Sequence, residues 1–136
     1  MMRVFADSSY WIALLDPRDE LHSKAVAVTN KLGAPRILTT EMVLVELLNS
    51  FSGGGPAVRG AATGAVEGLR RDANVIIEPQ TPEQFDRGLQ YYAQARDKDW
   101  SLTDCVSFQV MEEQDIRSVL THDRHFEQAG YDALLR

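Results

Sequence analysis

The chain predicts an α/β/α sandwich built on a parallel sheet, and three observations carry that expectation. Segments of strand length alternate with helical segments along nearly the whole sequence. The strand candidates are short apolar runs, as in sheets buried on both faces. No internal repeat, low-complexity tract or linker interrupts the alternation, so residues 1–136 are expected to form one domain.

Arg3 to Ala6 reads as the first strand, and Asp7-Ser8-Ser9 as a turn that supplies cap residues for a helix through Leu15. Pro17 stops it. Leu21, Ala25, Val28 and Leu32 recur at helical spacing before the Gly33 and Pro35 stop signals. Ile37 to Thr40 is a second strand, leading into a helix whose stripe is Leu44, Leu47, Leu48 and Phe51 and which Gly53-Gly54-Gly55-Pro56 closes. Ala57 to Arg71 is helical although its glycines weaken it. Asn74 to Glu78 reads as a buried strand. Thr81-Pro82-Glu83-Gln84 gives an N-cap, a first-turn proline and a capping-box glutamine for a helix to about Arg96. Leu102, Val106 and Val110 mark the next helix, Val119 to Thr121 a strand, and Tyr131 to Leu135 a last short one.

Composition narrows the function. A chain with 44% hydrophobic and 25% charged residues folds as an ordinary globular protein. Its formal net charge of -6 argues against wholesale phosphate neutralisation by a basic face. The single cysteine, Cys105, cannot form an internal disulfide, so a cytoplasmic setting is expected. Asp7 interrupts the apolar start, and no window has the apolar length of a spanning helix, so neither export nor a membrane is expected.

Four acids fall where periodic segments begin or end: Asp7, Glu46, Asp104 and Asp123. The carboxyl ends of parallel strands and the adjacent helix starts face one crevice, where such residues meet. Two unit charges ~4 Å apart repel by roughly 4 kcal/mol at an effective dielectric of about 20, so a hard divalent cation is the natural counterpart. Each acid also has a plain structural reading. Asp7 can cap the helix that follows it, Asp104 can complete a capping box with Ser101, and Asp123 can belong to a polar turn. Glu46 lies off the apolar stripe, which suits a solvated face, and Glu41 competes with it. Oxygen-only donors favour Mg²⁺ or Mn²⁺ over zinc. His22, His122 and His125 show no metal spacing with the lone cysteine, although His122 and His125 flank Asp123. Gly53-Gly54-Gly55 lacks the lysine and hydroxyl residue of a phosphate loop.

Four segments in order resemble the motifs of a PIN domain: Phe5-Ala6-Asp7-Ser8-Ser9, Val43 to Leu48, Leu102 to Phe108, and Val119-Leu120-Thr121-His122-Asp123-Arg124-His125-Phe126 before Gly130-Tyr131. The resemblance implies a five-stranded parallel sheet of order 3-2-1-4-5 and a metal-dependent ribonuclease pocket. In it, Asp7 and Asp104 are the principal ligands of Mg²⁺ or Mn²⁺, and Glu46 and Asp123 hold waters or a second ion. Ser9 and Thr121 are hydroxyl supports. Small stand-alone domains of this family are similar to VapC-type toxins, which implies a homodimer, a small antitoxin partner and an RNA substrate. Trp11, Leu14, Leu15 and the Val43 to Phe51 segment are the candidate dimer surface, and Arg96, Lys98 and Arg124 the candidate phosphate contacts. A PIN-like binding module with little catalysis, a solitary RNA-processing nuclease and a receiver-like domain are the alternatives. The receiver is disfavoured because Glu78-Pro79 ends the third strand and no lysine follows Lys98.

Overall fold

In a computed structural model describing residues 2–136, the chain runs β1 (Arg3–Ala6), α1 (Ser8–Leu15), α2 (His22–Leu32), β2 (Arg36–Thr40), α3 (Glu41–Ser50), α4 (Pro56–Arg71) and β3 (Val75–Glu78). It continues through α5 (Pro82–Gln94), α6 (Leu102–Glu113), β4 (Ser118–Leu120), α7 (Arg124–Gln128) and β5 (Asp132–Ala133). All strand pairs are parallel and the sheet order is β3-β2-β1-β4-β5. The chain first winds outward from β1 to β2 and β3, then crosses to β4 on the other side of β1 and on to β5. Right-handed crossovers therefore place α1 to α4 and α5 to α7 on opposite faces, and the winding direction reverses between β1 and β4. Packing follows this division, with α1 against α2 and α3 on one side and α5 against α6 on the other.

Phe5 lies opposite both Leu38 and Val119 in the ladder, at the centre of the core. Trp11 is buried beside Tyr10, with ring centroids 5.0 Å apart, and its indole N–H reaches Thr39 Oγ1 at 3.4 Å. Thr39 in turn donates to the Ala6 carbonyl at 2.8 Å, so α1 is fastened across β1 to β2. On the other face Phe108 collects Trp100, Tyr91, Phe126 and Tyr131 at centroid distances of 5.0 to 5.9 Å. Residues Thr103 to Phe108 of α6 are all buried, which makes α6 the central helix of that layer. It lies close to α5 because position 88 has no side chain: a Cβ on Gly88 would stand 2.4 Å from Val106 Cγ2.

Several sequence expectations need correction. The buried stripe of α3 is Val43, Leu44 and Leu47, while Leu48 is exposed and Phe51 caps the helix end. The β3 strand has no fully buried residue, since it forms the sheet edge and leaves Ile76 exposed. Thr81 caps α5 by accepting from Gln84 N at 3.0 Å, but the reciprocal arm is not made, and Gln84 Oε1 is buried without a partner. Helix α7 was not expected at all. Trp11 belongs to the core and not to a surface. Among the described residues no helix is long and apolar enough to cross a membrane.

Candidate active site

The reversal between β1 and β4 opens the crevice that parallel sheets offer at their carboxyl edge, and Asp7 leaves β1 directly into it. Its backbone N–H continues the pairing by donating to the Leu120 carbonyl at 3.1 Å. Asp7 stands at the N-cap position of α1, yet its side chain makes no capping bond. One oxygen, Oδ2, instead accepts from Thr121 Oγ1 at 2.9 Å, just beyond β4. Thr121 has only that proton to give, so the Ser9 hydroxyl 3.1 Å away donates to it, and Ser9 accepts from His122 N at 3.2 Å. Asp123 N also donates to Thr121 Oγ1, at 3.0 Å. Ser9 and Thr121 thus tie the ends of β1 and β4 into one hydroxyl network.

Glu46 reaches the same place from the second turn of α3, whose N-cap Thr40 accepts from Val43 N at 3.1 Å. Half-buried rather than solvated, it accepts from Ser8 Oγ at 3.0 Å through Oε1. Its competitor Glu41 is exposed and accepts from Gln80 N at 2.6 Å on the β3 side. Asp104 satisfies both of its readings at once. It completes the capping box of α6, accepting from Ser101 N at 3.1 Å, and its carboxylate is buried within the cluster. Asp123 N-caps α7, accepting from His125 N at 2.9 Å through Oδ1.

His125 flanks Asp123 in sequence but is not among the expected site residues, and the structure places its Nδ1 3.0 Å from Asp104 Oδ2 and 3.4 Å from Asp123 Oδ1. The signal was a helix start too short to show periodicity: an N-cap acid orients the residue two places on. Ser8, also missed, is the first residue of α1, in a segment that reads as a turn supplying caps. Arg96 and Arg124 are exposed, and Lys98 pairs with Asp97 at 3.3 Å beside the Trp100 ring. Among the described residues, no Lys or Arg forms an ion pair with any of the four acids.

Burial pushes the Asp7 carboxyl up to about 7, with the Asp104 and Glu46 charges adding to the rise and the Thr121 and Ser8 hydrogen bonds opposing it. Burial likewise raises Glu46, reinforced by Asp104 and Asp123, and raises Asp104 against the pull of His125 and Ser101. These couplings link all four acids into one cluster. In the hydrogen bonds above each carboxylate engages one oxygen. Such a donor set, half to fully buried and with no Lys or Arg paired to it among the described residues, fits a hard divalent cation. Cys105 is buried in the core with its thiol pushed up to about 11, so it is no nucleophile at neutral pH.

A parallel sheet with carboxylates gathered at its point of reversal defines an α/β protein with an acidic pocket. The chain belongs to the PIN-domain family, whose model matches residues 4–130. It is 29% identical over 134 residues to the 23S rRNA-specific endonuclease VapC20 of Mycobacterium tuberculosis, in both the CDC 1551 / Oshkosh and H37Rv strains, covering 94% of this chain and 95% of the relative. The crystal structure of M. tuberculosis VapC20, a Sarcin-Ricin loop cleaving toxin, superposes with a TM-score of 0.83 at 24% identity over 94% of this chain and 95% of that one. FitAcB from Neisseria gonorrhoeae superposes with a TM-score of 0.66 at 16% identity, over 96% and 95%. Both superpositions show the shared fold.

Proposed function

We propose that this protein is a divalent-cation-dependent ribonuclease and the toxin partner of a small cytoplasmic antitoxin. The observation that carries the reading is the cluster of four acids at the sheet reversal, with no Lys or Arg paired to it among the described residues. Likeness along nearly the whole chain to a relative named as an rRNA endonuclease supports RNA as the substrate class.

Asp7 and Asp104, the two buried carboxylates, would hold the cation, with Glu46 and Asp123 holding waters or a second ion. When bound, Mg²⁺ or Mn²⁺ supplies Lewis-acid stabilisation of phosphoryl charge and lowers the pKa of water. Thr121 fixes Asp7, and the Ser101 N–H fixes Asp104, so neither carboxylate must reorganise as charge develops. Glu46, half-buried and held by Ser8, is suited to take a proton from the attacking water. Arg124, exposed between Asp123 and His125, is the best-placed phosphate contact, with Arg96 and Lys98 on the α5–α6 connection.

Purified protein is expected to cleave RNA, to stop in excess EDTA and to recover with Mg²⁺ or Mn²⁺. Cleavage at full rate in EDTA would remove the cation from the reading. A homodimer is proposed on narrower grounds than the sequence offered. Trp11 is buried, but Val45 and Leu48 of α3 and Leu15 of α1 are exposed apolar side chains able to form a self-complementary patch. Light scattering at low micromolar concentration should give twice the chain mass; a monomer mass would exclude the dimer.

A further inference from the structure

We propose that His125 is a nitrogen donor to the cation pocket through Nδ1, so that the pocket prefers a first-row transition cation to Mg²⁺. The proposal rests on the acidic cluster being a cation site and does not require that RNA be its substrate.

The geometry is that of three neighbouring ligands. Nδ1 lies 3.0 Å from Asp104 Oδ2 and 3.4 Å from Asp123 Oδ1, and one donor atom from each residue can be chosen so that all lie within 4.8 Å of one another. Donors on adjacent corners of an octahedron with bonds of ~2.1 Å stand about 3.0 Å apart. His125 and Asp123 also hold each other in place, because the carboxylate that would bind the ion accepts from the histidine's own backbone N–H at 2.9 Å.

Two comparisons separate this imidazole from a merely structural one. The Nδ1 atoms of His22 and His122 each face a backbone carbonyl at 2.8 Å, those of Ala13 and Leu135, whereas Nδ1 of His125 faces two carboxylates. Asp104 does not need His125 for its orientation either. The Ser101 N–H already donates to the same oxygen, Oδ2, and the Ser101 hydroxyl accepts from Asp104 N to close the capping box.

As a ligand, His125 would turn its Nδ1 lone pair to the ion and carry the ring proton on Nε2. Carboxylates and water suit Mg²⁺, while an imidazole is a softer donor that favours transition metals. One nitrogen among oxygens therefore tilts the pocket away from Mg²⁺.

The test uses the full chain without RNA. Mn²⁺ affinity is measured by electron paramagnetic resonance titration and Mg²⁺ affinity by competition, in wild type and in His125→Asn. The variant should lose ~10-fold or more in Mn²⁺ affinity, in the range set by loss of a group at a metal site, with a much smaller change for Mg²⁺. Parallel losses would make His125 a positioning residue for Asp104 and overturn the proposal, and so would no loss of either. Should His125→Asn not fold by its melting curve, the wild type decides alone. Electron spin-echo modulation from an imidazole nitrogen on bound Mn²⁺ is expected, and its absence overturns the proposal. A wild type that shows the nitrogen signal but cuts no RNA would support His125 as a ligand and defeat the ribonuclease reading.

Discussion

Asp104→Asn is expected to lower RNA cleavage by about 100-fold or more, as removal of a cation ligand does, while the cation-free protein melts within a few degrees of wild type. The two effects separate because the proposed ligand role is distinct from the observed capping role. An asparagine oxygen still accepts from Ser101 N, so the capping box of α6 survives. The lost charge was one of a mutually repelling set, so its removal does not weaken the cation-free fold. A cleavage assay in Mg²⁺ or Mn²⁺ beside a melting curve in EDTA reads both. Near-normal cleavage would place Asp104 outside the chemistry, and a large drop in melting temperature would make it primarily a helix cap.

The second large effect is on stability. In the unfolded chain Asp7 titrates at its ordinary 3.8, and in the folded protein at about 7. Between those values the folded state keeps a proton that the unfolded chain has released, so raising the pH through that window removes stability. At 1.36 kcal/mol per unit the whole loss is about 4 kcal/mol, of which about 3 kcal/mol falls between pH 5 and pH 8, on the order of 10 °C in melting temperature for a chain of this size. The raised Glu46 and Asp104 carboxyls act in the same direction. Melting curves in EDTA should therefore fall from pH 5 to pH 8, and Asp7→Asn should flatten most of the fall and leave the variant more stable than wild type at pH 8. Added Mg²⁺ should raise the wild type more than the variant. A wild-type melt that climbs with pH across the window would show that Asp7 is charged and satisfied in the cation-free protein.

The fold was legible because each strand is an apolar run closed by a cap or a breaker, and those signals are local. Asp7 was legible for the same reason, as the first polar residue after Val4-Phe5-Ala6. Glu46 was not. Its helical angle says solvent, and only the tertiary approach of Ser8 at the start of α1 makes that flank of α3 an interior one. His125 was hidden differently. Helix α7 has five residues, less than two turns, so no periodicity could announce it, and the imidazole finds Asp104 across a sequence gap of twenty-one positions. Edge effects escaped too, since Val75-Ile76-Ile77 looks as apolar as an inner strand while β3 has a neighbour on one side only.

The missing side chain at position 88 lets α5 and α6 lie against each other without a spacer, at Val106, two residues along α6 from Asp104. A packed helix moves as one body, so whatever displaces it at Val106 displaces its first turn as well. Any residue larger than glycine at that position must displace the Val106 side chain, and where that side chain cannot give, the two helices part. The carboxylate at the leading end would then move relative to Asp7 and Asp123, which are anchored to the sheet and not to that helix. If the acidic cluster binds a cation as proposed, its affinity answers to a hydrogen atom in the wall of a helical hairpin, where a variant would alter the pocket without touching it.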